Sequence, residues 1–125
     1  MLYRFGRGPG PRGTVIRREG VGIQMPVGSQ VRAVAGGEIV LAGRRNTYGP
    51  TVMIDHGGGF YTLYLYLSSI AVAPNQFVEG GAVIGESGGQ GTEEGPHFEF
   101  QIRQVPRTGG QPLPLDPLNW LKQSR

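Results

Sequence analysis

The chain of 125 residues contains no cysteine. Disulfide bonds and thiolate chemistry are therefore excluded, although the lack of cysteine does not choose a compartment. Lysine is almost missing: of the 12 basic residues, all but Lys122 are arginine. One lysine in the tail leaves no candidate for a Schiff base, a phosphate-binding P-loop or a lipoyl attachment site. No apolar run approaches the roughly 20 residues of a membrane-spanning helix. The start, MLYRFGRGPGPRG, lacks the hydrophobic stretch of a secretion signal. On this evidence the chain is either cytoplasmic or one domain of a longer exported protein.

Glycine and proline are plentiful, at 23 and 10 residues, a bias that in isolation suggests disorder. The apolar residues argue against it, because they fall in short alternating runs of the kind packed strands need. Frequent glycine then means frequent tight turns, and the expected class is all-β, mainly antiparallel, around a single core. The net charge is +3 and the isoelectric point about 9.7. The arginines are scattered (Arg4, Arg7, Arg12, Arg17, Arg18, Arg32, Arg44, Arg45, Arg103) and form no stripe interleaved with aromatics. Nucleic acid is therefore not the expected partner. An anionic envelope polymer or an acidic protein surface fits such a distribution equally well.

Along the chain, GRGPGPRG (residues 6 to 13) reads as a loop or frayed arm. Val31 and Val34, then Ile39 and Leu41, mark two strands separated by a turn at Gly36 and Gly37. TVMIDHGGGFYTLYLYL reads as a hairpin with DHGGG as its turn. APNQFVEGG is a turn region, AVIGES a short strand, GGQGTEEGP a glycine-rich loop and HFEFQI the last core strand. At the end, Asp116 caps a helical turn with Pro117 in its first position, and Leu118, Trp120 and Leu121 pack back on the sheet.

Two strands bear on function. Counting by twos in TLYLYL puts Leu63, Leu65 and Leu67 on one face and Thr62, Tyr64 and Tyr66 on the other. In HFEF, Phe98 and Phe100 oppose His97 and Glu99. If the leucine and phenylalanine faces together form the core, the other face carries two tyrosines, a histidine and a carboxylate. Periodicity leaves two readings of that face: a polar, aromatic groove floor, or the ordinary outward side of a half-buried sheet. His56 and Asp55 read as turn residues with local hydrogen bonds.

Six segments in order resemble the LytM-like, lysostaphin-type zinc peptidases that cut peptidoglycan. They are REGVGIQMPVGSQVRAVAGGEIVLAG, YGPTVMIDHGGGFYTLYLYLSS, NQFVEGGAVIGESGGQG, GPHFEF and DPLNWL, with FGR at residues 5 to 7. The resemblance covers residues 18 to 121 and implies a β-sandwich-like fold, a duplicated hybrid motif with long loops around a central groove. It divides the chain into an arm and loop, 1–17, and a domain, 18–125. It also implies that the family's three zinc ligands fall on Arg18, Gly22 and Glu99, and its Tyr-x-His pair on Tyr64 and Tyr66. Arginine has no lone pair to give a metal, glycine has no side chain, and His97 with Glu99 makes a poor zinc site. No cofactor is therefore expected.

The same residues resemble the EnvC-type murein hydrolase activators, which have a Tyr-x-Tyr pair and GGQG before the last strand. That resemblance implies a metal-free groove that binds an N-acetylmuramoyl-L-alanine amidase. The groove would comprise Arg18, Gly22, Tyr64, Tyr66, His97 and Glu99, with Arg44 and Tyr48 on a flanking loop. Gly22 would leave room there for the partner. A periplasmic or other extracytoplasmic location is implied, as part of a longer exported protein whose contact with a membrane complex lies outside this chain. The alternatives are a peptidoglycan-binding module without activity, or an unconventional hydrolase.

Overall fold

The computed structural model describes residues 2–9, 13–106 and 108–118. Among the described residues, twelve strands account for just over half of the backbone: β1 (Gly6–Pro9), β2 (Val15–Arg18), β3 (Val21–Gln24), β4 (Gln30–Arg32), β5 (Gly37–Arg45), β6 (Gly49–Gly57), β7 (Phe60–Leu65), β8 (Leu67–Ile70), β9 (Phe77–Val78), β10 (Val83–Ser87), β11 (His97–Gln104) and β12 (Leu113–Leu115). Every pairing is antiparallel. The main sheet has seven strands in the order β12-β11-β7-β6-β5-β9, and β3 pairs with the first half of β11. A second sheet is β4-β10-β8, and β1 with β2 makes a separate two-stranded ribbon.

The core lies between the two larger sheets. Ile39, Val52, Ile54, Tyr64, Phe98, Phe100 and Ile102 from the main sheet meet Val31, Leu67 and Ile84 from the smaller one. Burying an aliphatic side chain of this size is worth about 1.5–3 kcal/mol, so these positions dominate the stabilising side of folding. β5 crosses β6 so closely that a Cβ on Gly37 would lie 2.3 Å from the Asp55 carbonyl oxygen, and only glycine fits there.

The all-β antiparallel class and the hairpin β6–β7 are as expected. Several local expectations are corrected. Residues 6–9, read as loop, are strand β1: their partner, residues 15–18, supplies the pairing that glycine and proline conceal. Val31 and Ile39 sit in different sheets, so Gly36 and Gly37 do not close a hairpin, and Val34 is exposed. The β6–β7 turn is confined to residues 58 and 59, because residues 55–57 continue β6. Strands β2, β3, β8, β9 and β12 are not among the expected strands. Asp116 caps as expected: its carboxylate accepts the Leu118 N–H at 3.0 Å. Trp120 and Leu121 lie outside the described residues.

The largest correction concerns faces. Register partners in a sheet point to the same side. Phe100 faces Tyr64 and Ile102 faces Thr62, whereas Glu99 faces Leu65 and Gln101 faces Leu63. The leucine and phenylalanine faces are therefore opposite sides of the sheet. Tyr64 and Thr62 belong to the core side, and Leu63 and Leu65 lie beside Glu99 and Gln101. Tyr66 escapes the alternation because its φ is +61°, which swings its side chain out of the strand pattern.

Candidate functional site

The site forms on the Glu99 side of β11. His97 and Glu99 are two apart on this strand and share its face, 0% and 6% exposed. β3 pairs alongside, with Gly22 opposite Glu99. A third segment completes the site. Leu2 donates its N–H to the Gly22 carbonyl at 2.7 Å, and Gly22 donates to the Tyr3 carbonyl at 3.0 Å. This short bridge lays the Tyr3 ring where Gly22 has no side chain. A Cβ at Gly22 would lie 2.4 Å from the ring.

Tyr3 then ties the site together. Its hydroxyl donates to Glu99 Oε1 at 2.5 Å and lies 3.2 Å from His97 Nε2. The Arg18 guanidinium sits over the ring, 3.8 Å from its centroid, and pairs with Glu94 at 3.1 Å. Glu99 Oε2 accepts from Gln101 Nε2 at 2.6 Å. Gln101 Oε1 accepts from Arg103, which pairs in turn with Glu19 at 2.7 Å. His97 Nδ1 faces the Gly95 carbonyl at 2.7 Å, so that nitrogen carries the proton and donates it.

These residues do not fit a zinc ion. Arg18 has no lone pair and is already paired with Glu94. Gly22 has no ligand atom, and Tyr3 fills its space. Both Glu99 oxygens and both His97 nitrogens have close neighbours. Among the described residues, no three His, Cys, Asp or Glu side chains gather to hold a metal. His56 is committed elsewhere, with 2.8 Å from Nδ1 to the Gly36 carbonyl and 2.7 Å from Nε2 to the Thr62 hydroxyl. It bridges to residue 36 and is not the locally bonded turn residue expected. Asp55 also lies in β6 and not in the turn, but it does bond locally, accepting the Gly57 N–H at 2.8 Å.

The open part of the site is a cleft in two lobes. One, of about 340 Å³, is lined by Arg17, Arg18, Glu19, Tyr48, Tyr66, Glu99 and Gln101. The other, of about 320 Å³, is lined by Arg44, Thr47, Pro50, Tyr66, Ser68 and the loop 89–92, among others. Tyr66 lines both. Its ring stands 5.6 Å from Tyr48 and 5.1 Å from His97, centroid to centroid. Of the anticipated groove residues, Arg18, Tyr48, Tyr66, His97 and Glu99 come together, and Arg44 rims the second lobe.

Tyr64 does not belong to the groove. It is 1% exposed, packs 5.5 Å from Phe100, bonds the Thr62 hydroxyl at 2.9 Å and accepts the Val34 N–H at 3.2 Å. Nor does Gly22 leave room for a partner, because Tyr3 occupies it. Tyr3, Glu94 and Gln101 were missed. A glycine on a packed sheet face was the available signal that some other side chain fills the gap. Tyr64→Phe is expected to cost about 1–3 kcal/mol, since the buried Thr62 hydroxyl and the part-buried Val34 N–H both lose the Tyr64 oxygen. Chemical denaturation checks this, and the cleft surface is expected to be unchanged.

Burial, reinforced by the Glu99 carboxylate, pushes the Tyr66 hydroxyl up to about 12. Tyr3 is raised by the same two causes, against the opposing Arg18 charge, and Tyr64 is raised by burial. An unfolded tyrosine ionises near about pH 10. Above that point the folded chain binds more protons than the unfolded one, so stability falls as pH rises toward about 12. Thermal melts are expected to show a steady midpoint up to about pH 9 and a drop between about pH 10 and about pH 11. An unchanged midpoint across that range would contradict the placement of these hydroxyls.

A family model, peptidase family M23, matches residues 17–117. The chain is 36% identical over 109 residues to the cell division protein DipM of Caulobacter vibrioides, covering 86% of this chain and 18% of that protein. It is 42% identical over 94 residues to the DD-carboxypeptidase/endopeptidase Mpg of Neisseria meningitidis, covering 75% and 21%. It is 35% identical over 109 residues to the murein hydrolase activator EnvC of Escherichia coli, covering 85% and 24%. The chain thus spans about a fifth of the length of these curated relatives. Among solved structures, lysostaphin from Staphylococcus simulans matches with a TM-score of 0.81 and 31% identity, over 98% of this chain and 49% of that one. The antiparallel fold, the matched span and the relatives agree: the chain belongs to peptidase family M23, as a LytM-like domain of the lysostaphin fold.

Proposed function

We propose that this domain is a non-catalytic activator of a peptidoglycan N-acetylmuramoyl-L-alanine amidase, which it binds through the two-lobed cleft. The observation that carries this reading is the chemistry at the three positions where the family's zinc ligands fall. Arg18 is paired with Glu94, Gly22 is covered by Tyr3, and Glu99 accepts from Tyr3 and Gln101. A hydrolytic zinc needs about three protein ligands and an open water position. Further support comes from the relative named as a murein hydrolase activator. Other relatives are named as peptidases, so the reading rests on these side chains and not on family membership.

The cleft offers aromatic surface at Tyr48 and Tyr66 with arginines at its edges, a composition typical of interface hot spots. An activator of this kind works by population shift: it binds the competent form of the enzyme more tightly and raises its share. The domain would act in the extracytoplasmic envelope, where the polymer cut by the amidase lies. A second reading, a peptidoglycan-binding module, is favoured by the exposed Arg17 and Arg44 at the two lobes.

The test is dye release from labelled peptidoglycan by the chain alone, the amidase of the source organism alone, and both together. Release only in the mixture is the expected result. Release by the chain alone would overturn the non-catalytic reading. No stimulation of a demonstrably competent amidase, together with pelleting on purified sacculi, would favour the wall-binding module.

A further inference from the structure

Strands β1 and β2 form a ribbon of two short strands, and such a ribbon has little stability of its own. Its register sets Arg7 directly opposite Arg17. Both side chains are exposed and project from the same face. Like charges in direct cross-strand pairs destabilise a sheet. Three other arginines have internal partners: Arg18 with Glu94, Arg103 with Glu19, and Arg32 with the Gly81 carbonyl and Gln30. The exposed Arg4, Arg44 and Arg45 meet no carboxylate among the described residues, but none of them faces another arginine across a strand pair. Among the described residues, neither Arg7 nor Arg17 meets a carboxylate. Arg17 rests near the Phe5 ring, 5.5 Å from its centroid, and also lines the cleft lobe that holds Tyr48 and Tyr66. The outer face of the ribbon is thus continuous with the cleft. Val15, 73% exposed, shares that face by its spacing from Arg17.

We propose that this face is the acid-reading part of the docking surface: an acidic segment of the amidase lies along the ribbon, its carboxylates between Arg7 and Arg17. The proposal rests on the activator reading and names the chemistry of the partner. A repulsive pair kept on a marginal ribbon is accounted for by a partner that brings the counter-charge. Two cations beside exposed Val15 and half-buried Phe5 suit a mixed apolar and acidic protein segment. They are too few for a polyanion held by many phosphate contacts.

The experiment measures binding of the purified amidase of the source organism to the immobilised chain, as wild type, Arg7→Glu, Arg17→Glu and Arg32→Gln. Arg32 lines neither lobe and serves as the control. Each glutamate variant is expected to weaken binding about tenfold, chiefly through slower association, and to flatten its salt dependence. The melting temperature of either glutamate variant is expected to hold or rise, because opposite charges replace a like pair. Wild-type binding with both glutamate variants unimpaired would overturn the proposal and leave the activator reading intact. Wild-type chain that binds no amidase would overturn both. Binding to purified sacculi that is lost in the glutamate variants, with amidase binding unchanged, would assign the ribbon to the anionic wall polymer and overturn this occupant.

Discussion

The triple variant Arg18→His, Gly22→Asp, Glu99→His is expected to take up no zinc, and the same variant with Tyr3→Ala is expected to bind it. The three changes put the family's ligand types where the sequence resemblance places its zinc ligands, but they leave Tyr3 in the way. A Cβ at position 22 falls 2.4, 2.6 and 2.7 Å from three atoms of the Tyr3 ring. Carbon atoms do not approach so closely, and overpacking of this kind costs about 1–3 kcal/mol. The ring cannot step aside with its backbone, because residues 2 and 3 are hydrogen-bonded to Gly22 on both sides. Shortening Tyr3 removes the clash and clears the space before the new donors. Metal analysis after dialysis reads zinc content directly. A melting temperature that rises with added zinc confirms specific binding, since a ligand of the folded state alone stabilises it. Full zinc loading of the triple variant with Tyr3 intact would show that Tyr3 is no obstacle. Failure of both variants to load zinc, each well folded, would show that the ligand positions were wrongly placed across these strands.

Tyr66→Gly is expected to fold normally and to lose amidase stimulation by at least about thirtyfold, the loss of a typical hot spot. Stability falls by no more than about 2 kcal/mol because two effects partly oppose. Tyr66 holds a φ of +61°, a conformation that costs a non-glycine residue about 1 kcal/mol and that glycine adopts freely. Against this, the ring contacts with Tyr48 and His97 are worth about 0.5–1.5 kcal/mol each. Tyr66→Ala loses the contacts and keeps most of the strain, so it is expected to be the less stable of the two. Stimulation assays on both variants, beside their denaturation curves, separate docking from folding. A stable Tyr66→Gly that stimulates like the wild type would remove the cleft from the mechanism.

How much of this was legible in the sequence differs from element to element. The hairpin β6–β7 and strand β11 were readable because their side chains alternate locally, and the Asp116 cap because it depends on a neighbour two residues away. The ribbon was not, since Gly6, Gly8 and Pro9 carry no alternation to mark a strand, although their partners lie nearby in the sequence at residues 15–18. Within β7 and β11 the faces were separately correct and wrongly joined, while Tyr66 and Leu67, past the end of β7, depart from the expected alternation. Alternation says which residues of one strand share a side, but it is silent on how two strands are matched. One register, Phe100 opposite Tyr64, moves the tyrosine from groove to core.

For the site, the residue types alone established what chemistry is possible at the matched positions. A guanidinium has no lone pair and a glycine no ligand atom, whatever the fold around them. What occupies the vacated space was settled by contacts that span the chain. Tyr3 reaches His97 and Glu99 across separations of 94 and 96 residues. Gly22 signals only that some side chain fills the gap; local sequence does not say which one, because nothing in the spacing of nearby residues depends on it. The positive φ of Tyr66 and the bridge between Tyr3 and Gly22 are likewise products of the assembled sheet, and together they turn a set of residue types into a filled site beside an open cleft.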